Sequence, residues 1–329
     1  MITMTRRLLF YCLLILILLS GIHCVRQQYS LALVMPELWK NTCAPTEQYL
    51  FDYSTIHDIP LMIRYYSDSN YRSIVREINS FRPYICIVYI PESFSNYMFM
   101  GKKLHAHRYI CFENTYIKNK NAIYARIKTD YKKIGKSMVH AVKHRFESIT
   151  NTAVLLWLRD NQPTTVIREL ETGISEGIAQ LSNCHLVTNS VTTLHEARNA
   201  TEKQLQTYGK TITALIASHD TFAVGSLQPV KKRQYKRKIL IAGFGATLPA
   251  LQNLNIGDID FTFDLNIQEM LDQAFILSVE LFETNDHKND KRHDTPFTIQ
   301  HIRYDRSNAR KKMDRYNKYP VMDIFGYND

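Results

Sequence analysis

Two stretches of the sequence indicate the fold class: Ile212-Thr-Ala-Leu-Ile-Ala-Ser-His219-Asp220 and Ile239-Leu-Ile-Ala-Gly243-Phe-Gly245. Each stretch is a short, nearly unbroken apolar run that ends in small or polar residues. Such a run is typical of a parallel strand whose two faces are both covered by helices. In open α/β sheets the ligand crevice lies just beyond the carboxyl ends of the strands. We therefore expect His219 and Gly245 to border a binding site.

Strand and helix signals alternate along the chain on both sides of these stretches. Alternating units of this kind form a parallel, doubly wound sheet. Because the series starts again near residue 150, we expect an α/β fold with two lobes of similar architecture and a cleft between them. Helical spacing of apolar residues covers 71–81, 131–146, 163–181, 194–208 and 267–281, and short apolar runs predict strands at 31–35, 59–65, 85–90, 109–112, 153–158, 186–188 and 259–263.

The expected lobes are discontinuous in sequence. The first comprises residues 27–128 and 265–296, and the second comprises residues 129–264 and 297–329. The chain would cross between them near residues 127–129, near residues 264–266 and around Phe297. Three short crossings suit rigid-body closure of the lobes about a hinge. Beyond residue 303 the chain is basic and tyrosine-rich, and its pattern predicts no regular structure.

The amino terminus resembles a secretory signal. Arg6 and Arg7 precede an apolar run over residues 8–19, and small or polar residues follow up to Cys24. A basic start, a short apolar core and a small-residue exit define such signals. The run is shorter than the roughly 20 residues that a membrane-spanning helix needs. We read residues 1–24 as a signal segment and expect a periplasmic location. An uncleaved anchor or a lipoprotein at Cys24 are the alternatives.

Composition narrows the class of protein further. The net charge is +10, and much of the excess lies in one run, Lys231-Lys-Arg-Gln-Tyr-Lys-Arg-Lys238. This run is expected to be a solvated loop, with a patch for anionic lipid or a partner protein as the alternative. Nucleic acid is improbable behind a secretory signal. Cys86 and Cys111 fall in predicted strands, so free buried thiols are expected, with one disulfide as the alternative.

The sequence offers no catalytic or metal-binding motif, and we expect a protein that is not an enzyme and carries no cofactor or metal. Gly243-Phe-Gly245 follows a strand, but a dinucleotide fingerprint would need glycine at Leu248. The chain has no P-loop, no nucleophile elbow and no zinc-protease pair. The remaining candidate groups are interpreted as exposed histidines or helix-surface carboxylates: His105 with His107, His140 with His144, and Glu169 with Glu171.

A set of polar and aromatic residues instead follows the predicted strands. Because the carboxyl ends of parallel strands meet at one edge of a sheet, these residues would approach a single cleft. Each could also be an ordinary turn or core residue taken alone. The set is Trp39, Glu113, Asn114, Arg159, Asp160, His219, Gly245 and Asp264.

The chain resembles the type I periplasmic binding proteins and their LacI-like sugar-binding relatives. Arg168 precedes Gly173 by the interval that this family uses at the start of a helix. His219-Asp220-Thr-Phe-Ala223-Val-Gly225-Ser is similar to its Asn-Asp strand end and following helix, and Gly243-Phe244-Gly245 to its Gly-Phe-Asp strand end. The resemblance implies two Rossmann-like lobes with parallel sheets, joined by a three-strand hinge, that close on a small ligand.

Three positions depart from that family pattern. The sugar-gripping asparagine of the family falls on His219, its aspartate on Gly245 and its amide before the last helix on Asp264. Loss of the carboxylate at Gly245 argues against a simple sugar ligand. Arg168 matches the family, and a guanidinium suits an anionic or polar group. The resemblance and the strand ends together predict a ligand-binding set: Trp39, Glu113, Asn114, Asp160, Arg168, His219 and Asp264.

One branch of the family resembles the carboxyl-terminal part of the chain. Residues 302–308 and the aromatic tail are similar to the periplasmic sensor of the trimethylamine N-oxide respiration system. An N-oxide or quaternary ligand would favour aromatic walls, for which Trp39 and Tyr124 are candidates.

The sequence therefore predicts a monomeric, extracytoplasmic solute-binding protein. Its membrane partner would be a permease or a sensor kinase. The alternative is a ligand-independent adaptor that docks on a membrane histidine kinase.

Overall fold

The computed structural model describes residues 29–37, 40–90, 95–147, 153–162, 164–181, 183–234, 239–283 and 292–318. The expected signal segment, Trp39, and residues 235–238 of the basic run lie outside the described residues. The described chain forms two six-stranded sheets, each flanked by helices. The predicted fold class, two α/β lobes with parallel sheets, is confirmed.

The first sheet has the strand order β11-β5-β4-β3-β1-β2, with every pairing parallel. Its strands read as buried apolar runs because helices cover both of its faces. The elements of this part of the chain are β1 Leu31–Pro36, α1 Lys40–His57, β2 Leu61–Tyr66, α2 Tyr71–Phe81, β3 Ile85–Val88, α3 Ser95–Lys103, β4 Arg108–Phe112 and β5 Ile123–Thr129.

The second sheet has the order β12-β10-β9-β8-β6-β7, and only the pairing of β10 with β12 is antiparallel. The two stretches that decided the fold class form its centre as β8 and β9. Its elements are α4 Tyr131–Glu147, β6 Ala153–Asp160, α5 Thr165–Ile178, β7 Cys184–Val191, α6 Leu194–Tyr208, β8 Ile212–Ala217, α7 Asp220–Lys232, β9 Leu240–Phe244, α8 Leu248–Asn255 and β10 Phe261–Asp264.

The rest of the chain returns to the first lobe and then to the second. Helix α9, Ile267–Glu283, packs on α1 and β5, and strand β11, Phe297–Ile299, pairs with β5. Strand β12, Ile302–Tyr304, pairs with β10, and helix α10, Ala309–Lys318, follows it.

The chain crosses between the sheets after β5, after β10 and between β11 and β12. The first crossing follows Thr129 and the second follows Asp264. The third lies at residues 300–301, because β11 hydrogen-bonds to β5 of the first sheet. The boundary expected at residue 297 would have put β11 in the second lobe, and the pairing corrects it.

Several elements were not predicted from the sequence, and four of them show the reason. Strand β5 carries Arg126 and Lys128, which break its apolar run, although five of its seven residues are buried. Helix α1 includes Pro45, and helix α10 is almost entirely polar. Helix α3 has no apolar stripe that its sequence would reveal. In these elements tertiary packing overrides a weak local pattern.

Helices α4 and α5 approach each other unusually closely. A Cβ atom added to Gly173 would lie 2.0 Å from the backbone oxygen of Lys132, and one added to Gly135 would lie 2.3 Å from that of Leu170. These glycines let the two backbones touch, and the contact covers one face of the second sheet. Trp157 of β6 is fully buried on that face among the apolar side chains of α4 and α5.

The described cysteines, Cys43, Cys86, Cys111 and Cys184, are all free thiols. Burial raises the pKa of Cys111 to about 12 and that of Cys86 higher, so both stay protonated. In the described part of the chain, no helix combines the length and apolar character required to cross a bilayer.

Candidate functional site

A cleft of about 270 Å³ opens at the carboxyl ends of the strands, with lining residues from both lobes. The first lobe contributes the ends of β3, β4 and β5, and the second contributes the ends of β6 and β8 and the first turn of α5. Four of the seven predicted ligand-binding residues line it: Glu113, Asn114, Asp160 and His219. This is the place that the topology of a doubly wound sheet assigns to a ligand.

Glu113 connects the first lobe to a crossing segment. Its Oε1 atom accepts a hydrogen bond from the backbone N–H of Thr129 at 3.1 Å, and the Tyr131 hydroxyl also bonds to it. The side chain reaches them because Glu113 adopts a left-handed conformation, with φ of 52°, in the turn after β4. Burial raises the pKa of Glu113 to about 7, although these donors and Lys128 act to lower it. The carboxyl is thus poised to change charge near neutral pH.

Replacing Glu113 with glutamine will change how stability depends on pH. Since its pKa in the folded state lies above the ordinary value of 4.5, the stabilising contribution of this group is complete below about pH 4.5 and lost as pH rises through about 7. Glutamine imitates the protonated acid at every pH. The quantity to compare is the unfolding free energy of Glu113→Gln minus that of the parent chain. We expect this difference to be larger at pH 8 than at pH 5 by ~2–3 kcal/mol.

Urea unfolding at the two pH values measures this difference. Asp294→Asn, which removes an exposed carboxylate, serves as the control and should show a difference near zero. Parallel pH profiles for Glu113→Gln and the parent chain would refute the buried, proton-binding role of Glu113.

Asn114 and Lys128 form a second polar pair on the first-lobe wall. The Lys128 Nζ atom donates to Asn114 Oδ1 at 2.7 Å, and both residues line the cleft. The bond holds the ammonium group at the rim of the cleft, close to Glu169 of the second lobe. A cation and a carboxyl therefore face the cleft from opposite lobes.

Asp160 and His219 form the corresponding pair on the second-lobe wall. His219 Nε2 lies 3.1 Å from Asp160 Oδ2, and Asp160 Oδ1 accepts from the backbone N–H of Gln162 at 2.8 Å. Burial acts to raise the pKa of Asp160, but the bonds from His219 and Gln162 lower it below its ordinary value. Asp160 thus presents an ionised carboxylate to the cleft, and the imidazole is fixed beside it.

Asp220 has a structural role next to this site. It is fully buried and accepts from Thr262 Oγ1 (2.7 Å) and from the backbone N–H of Thr247 (2.7 Å). Burial raises its pKa to about 6 against these donors. A Cβ atom at Gly243 would lie 2.2 Å from its Oδ1. The N-cap position of α7 is His219, and Asp220 connects Thr247, in the loop after β9, with Thr262 of β10.

Two predicted ligand residues lie away from the cleft lining. Arg168 is exposed on α5 and donates to Thr165 Oγ1 of its own helix at 3.2 Å. Asp264 is buried in an ion pair with Lys312 of α10 at 2.8 Å. Helix α10 has no apolar periodicity that would predict it, so this partner could not be foreseen. Neither side chain belongs to the cleft lining, and Trp39 lies outside the described residues.

The structure adds lining residues that sequence reasoning missed. Tyr89 follows β3 and Tyr131 opens α4, so they supply the aromatic walls expected from Trp39 and Tyr124. Tyr124 is buried instead and contacts His293 edge-on, with ring centroids 5.0 Å apart. Tyr89 was missed because the strand was predicted to extend to residue 90, whereas β3 ends at Val88. Tyr131 and Lys128 were missed because their crossing strand was unrecognised.

No group of three or more His, Cys, Asp or Glu side chains among the described residues could hold a metal ion. His140 and His144 are exposed on α4, in line with their interpretation from the sequence. His107 is also exposed, and its ring stacks on Tyr84 with ring centroids 4.8 Å apart.

A sequence model of a family, the periplasmic binding protein domain, matches residues 106–285, which is more than half of the chain. The chain therefore belongs to the periplasmic binding protein domain family. The matched region includes β4, all of the second lobe up to β10, and the helix that returns to the first lobe. Comparison with curated proteins gives no match.

Solved structures with the same fold cover most of this chain. An arabinose-binding protein from Geobacillus stearothermophilus is 13% identical, with a TM-score of 0.68 over 86% of this chain and 99% of its own. A periplasmic solute-binding protein of Actinobacillus succinogenes, solved with bound D-allose, is 14% identical, with a TM-score of 0.64 over 86% and 99%. A Caulobacter myo-inositol-binding protein, bound to myo-inositol, is 14% identical, with a TM-score of 0.63 over 87% and 97%. At these identities the similarity establishes the type I periplasmic binding protein fold.

Proposed function

We propose that this protein is an extracytoplasmic solute-binding protein that captures a small polar ligand between its two lobes. The observation that carries the proposal is the cleft itself, which lies at the carboxyl ends of both sheets and is lined from both lobes by polar side chains. The membrane partner, a permease or a sensor kinase, would receive the closed, ligand-bound form. The predicted signal segment and the family membership support a periplasmic location.

The lining favours a ligand that carries several hydrogen-bonding groups. Glu113, Asp160 and Glu169 offer acceptors, and Lys128 offers a donor. Tyr89 and Tyr131 provide aromatic surface on which a ring or an alkyl face would pack. Among the described residues that line the cleft there is no paired nucleophile and base, and we propose binding without chemical conversion.

Closure would occur about the three crossing segments. The first crossing, between β5 and α4, is part of the site, since Thr129 and Tyr131 both line the cleft. A ligand that touches residues of both lobes gains contacts only when the lobes approach, which shifts the population toward the closed form. Glu113 bonds to this crossing and would transmit contact with the ligand to the hinge.

A thermal-shift screen of purified protein tests the proposal. Pentoses, hexoses, inositols, amino acids, N-oxides and nucleosides are the compounds to include. A ligand at 100 times its dissociation constant adds about 2.7 kcal/mol of stability. We expect at least one class to raise the unfolding temperature. A flat response over the whole panel would contradict ligand capture and favour a ligand-independent adaptor on a membrane kinase.

Replacing Asp160 with asparagine will weaken whichever ligand the screen identifies. A hydrogen bond to an ionised group contributes about 1.5–3 kcal/mol, so the dissociation constant should rise by roughly 10- to 100-fold. Isothermal titration calorimetry measures the change. Arg168→Ala is the matched control, because Arg168 is exposed on the same wall but lies outside the cleft lining. A loss of affinity in Arg168→Ala with none in Asp160→Asn would overturn this assignment of the site.

A further inference from the structure

We propose that an acidic face of the first lobe, formed by helices α1 and α9, is a docking surface for a basic amphipathic segment of a partner protein. The two helices pack side by side and bury their apolar residues against the same side of the first sheet. This surface, called here the α1–α9 face, shares no residue with the lining of the ligand cleft. The inference therefore does not depend on ligand capture.

The centre of the α1–α9 face is apolar and open to solvent. Tyr53 of α1 contacts Phe275 of α9 edge-on, with ring centroids 5.1 Å apart, and this contact marks the seam between the helices. Ile56, one turn after Tyr53, is 76% exposed, and Ile276, next to Phe275, is 58% exposed. Val279 lies half-buried one turn after Phe275. Exposed apolar side chains that gather in one place mark interaction sites, whereas isolated ones do not.

Carboxylates surround this apolar centre. Helix α9 contains no lysine or arginine and has four carboxylates: Glu269, Asp272, Glu280 and Glu283. Positions 272, 276, 279 and 283 follow helical spacing, so Asp272 and Glu283 lie on the same side of α9 as Ile276. On α1, Asp52 lies one turn before Ile56 and is exposed. The α1–α9 face is thus acidic, although the chain as a whole carries a net charge of +10.

Most of this negative charge is not neutralised by the protein itself. Within the described part of the chain, Asp52, Asp272 and Glu283 form no ion pair. Asp52 and Asp272 each accept a hydrogen bond at 2.9 Å from a neutral glutamine amide of their own helix. Glu280 differs, since it lies 3.8 Å from His293. Because an amide leaves the charge of a carboxylate in place, three exposed carboxylates remain to attract a cation.

The negative charge extends to the seam between the helices. Burial and the nearby Glu283 carboxylate both raise the pKa of Tyr53, so Glu283 lies within electrostatic range of the seam. From Asp272 to Glu283 the helix rises by about 16 Å. A helical segment of similar length, with apolar residues on one side and lysine or arginine beside them, would match this arrangement.

Charge complementarity favours a basic protein segment over the other simple occupants. Two copies of the chain, each with a net charge of +10, repel one another at long range, and pairing of this face with itself would oppose carboxylates. The same carboxylates would repel an anionic lipid surface. A basic amphipathic segment instead forms ion pairs at the rim and buries Ile56 and Ile276 at the centre.

Fluorescence anisotropy of the full-length chain with a labelled amphipathic peptide of about four helical turns tests the inference. The peptide carries leucine on one face and lysine elsewhere, and a second peptide with glutamine in place of lysine is the neutral control. The face variant is Asp272→Lys with Glu283→Lys. The matched control is Asp68→Lys with Asp314→Lys, two exposed carboxylates outside α1 and α9. Both double variants change the net charge equally.

A second pair of variants tests the apolar centre. Ile276→Ser removes an isoleucine of the face, and its control is Ile256→Ser, at an isoleucine of the second lobe that is 66% exposed. We expect the lysine peptide to bind the parent chain, and to bind the face variant about tenfold more weakly and Ile276→Ser about fivefold more weakly. Both control variants should bind the peptide within roughly twofold of the parent chain.

Several outcomes would overturn the proposal. Failure of the lysine peptide to bind the parent chain would do so, and so would equal binding of the lysine and glutamine peptides. Equal losses in the face variant and its control would show a bulk charge effect and overturn it too. Sedimentation velocity checks for a second copy, since a dimer that the face variant dissociates would assign the face to self-association instead. If charge reversal prevents folding, Asp272→Asn with Glu283→Gln is the substitute, and unchanged peptide binding in that variant would refute the docking site.

Discussion

Replacing Gly173 with alanine will destabilise the second lobe by about 3 kcal/mol or prevent it from folding. The new Cβ atom would lie 2.0 Å from the Lys132 backbone oxygen, 2.8 Å from its carbonyl carbon and 3.0 Å from the Lys136 nitrogen. These are backbone atoms of the first two turns of α4, so they cannot move aside as a side chain can. The helices would have to separate, which would open the packing around Trp157.

The sign of the change in unfolding free energy distinguishes the packing of α4 against α5 from the helix propensity of residue 173. An alanine in place of a helical glycine gains about 1 kcal/mol when nothing touches it. A loss measured by urea unfolding therefore reports the contact between α4 and α5 directly. Ser175→Ala, at an exposed position of the same helix, is the control and should change stability by less than about 0.5 kcal/mol. An unaltered or increased stability of Gly173→Ala would contradict the close approach of the two helices.

Replacing Asp220 with alanine will cost ~2–4 kcal/mol of unfolding free energy. The substitution leaves the buried Thr262 hydroxyl and the backbone N–H of Thr247 without their acceptor, and each orphaned buried donor costs about 1–3 kcal/mol. It also removes the bridge between the ends of β9 and β10. Thermal and urea unfolding measure the loss, with Asp272→Ala, at an exposed carboxylate on α9, as the control.

The double substitution of Asp220→Ala with Thr262→Val tests the cause. Because Thr262→Val removes one of the two orphaned donors, the double variant should be more stable than the sum of the single effects predicts. Strict additivity of the two losses would contradict the hydrogen bond as the source of the effect. If neither variant changed stability, the buried bridge itself would be disproved.

Much of the fold followed from local patterns. Residues 212–217 and 240–244 are buried at every position because both faces of their sheet are covered, and their nearly unbroken apolar runs indicate a parallel sheet. Helix α6 ends at Gly209, with φ of 55°, where the sequence placed its terminus. Strand β5 was missed because its neighbours, not its own pattern, make it a strand. The third crossing was misplaced because pairing of β11 depends on β5.

The candidate site was predictable in part for the same reason. The strand-end rule identified Glu113, Asn114, Asp160 and His219, since the edge of a parallel sheet is fixed once its strands are known. The rule does not show which strand-end groups form ion pairs or hydrogen bonds within the protein instead of facing a ligand. Asp264 forms an ion pair with Lys312, and Asp220 accepts hydrogen bonds from Thr247 and Thr262. Their partners come from segments distant in sequence, so only the assembled structure reveals them.

The fold class and the location of the cleft could be predicted from local patterns, because both depend on short apolar runs whose period and length are local properties. The tertiary structure decided which polar groups face that cleft. Arg168 matches a family interval, yet it points to solvent from a helix whose neighbouring positions line the site. His219 takes its place opposite Asp160 because β6 and β8 are adjacent strands, although the two residues are far apart along the chain. Chain segments that are remote in sequence set these contacts, and no local pattern encodes them.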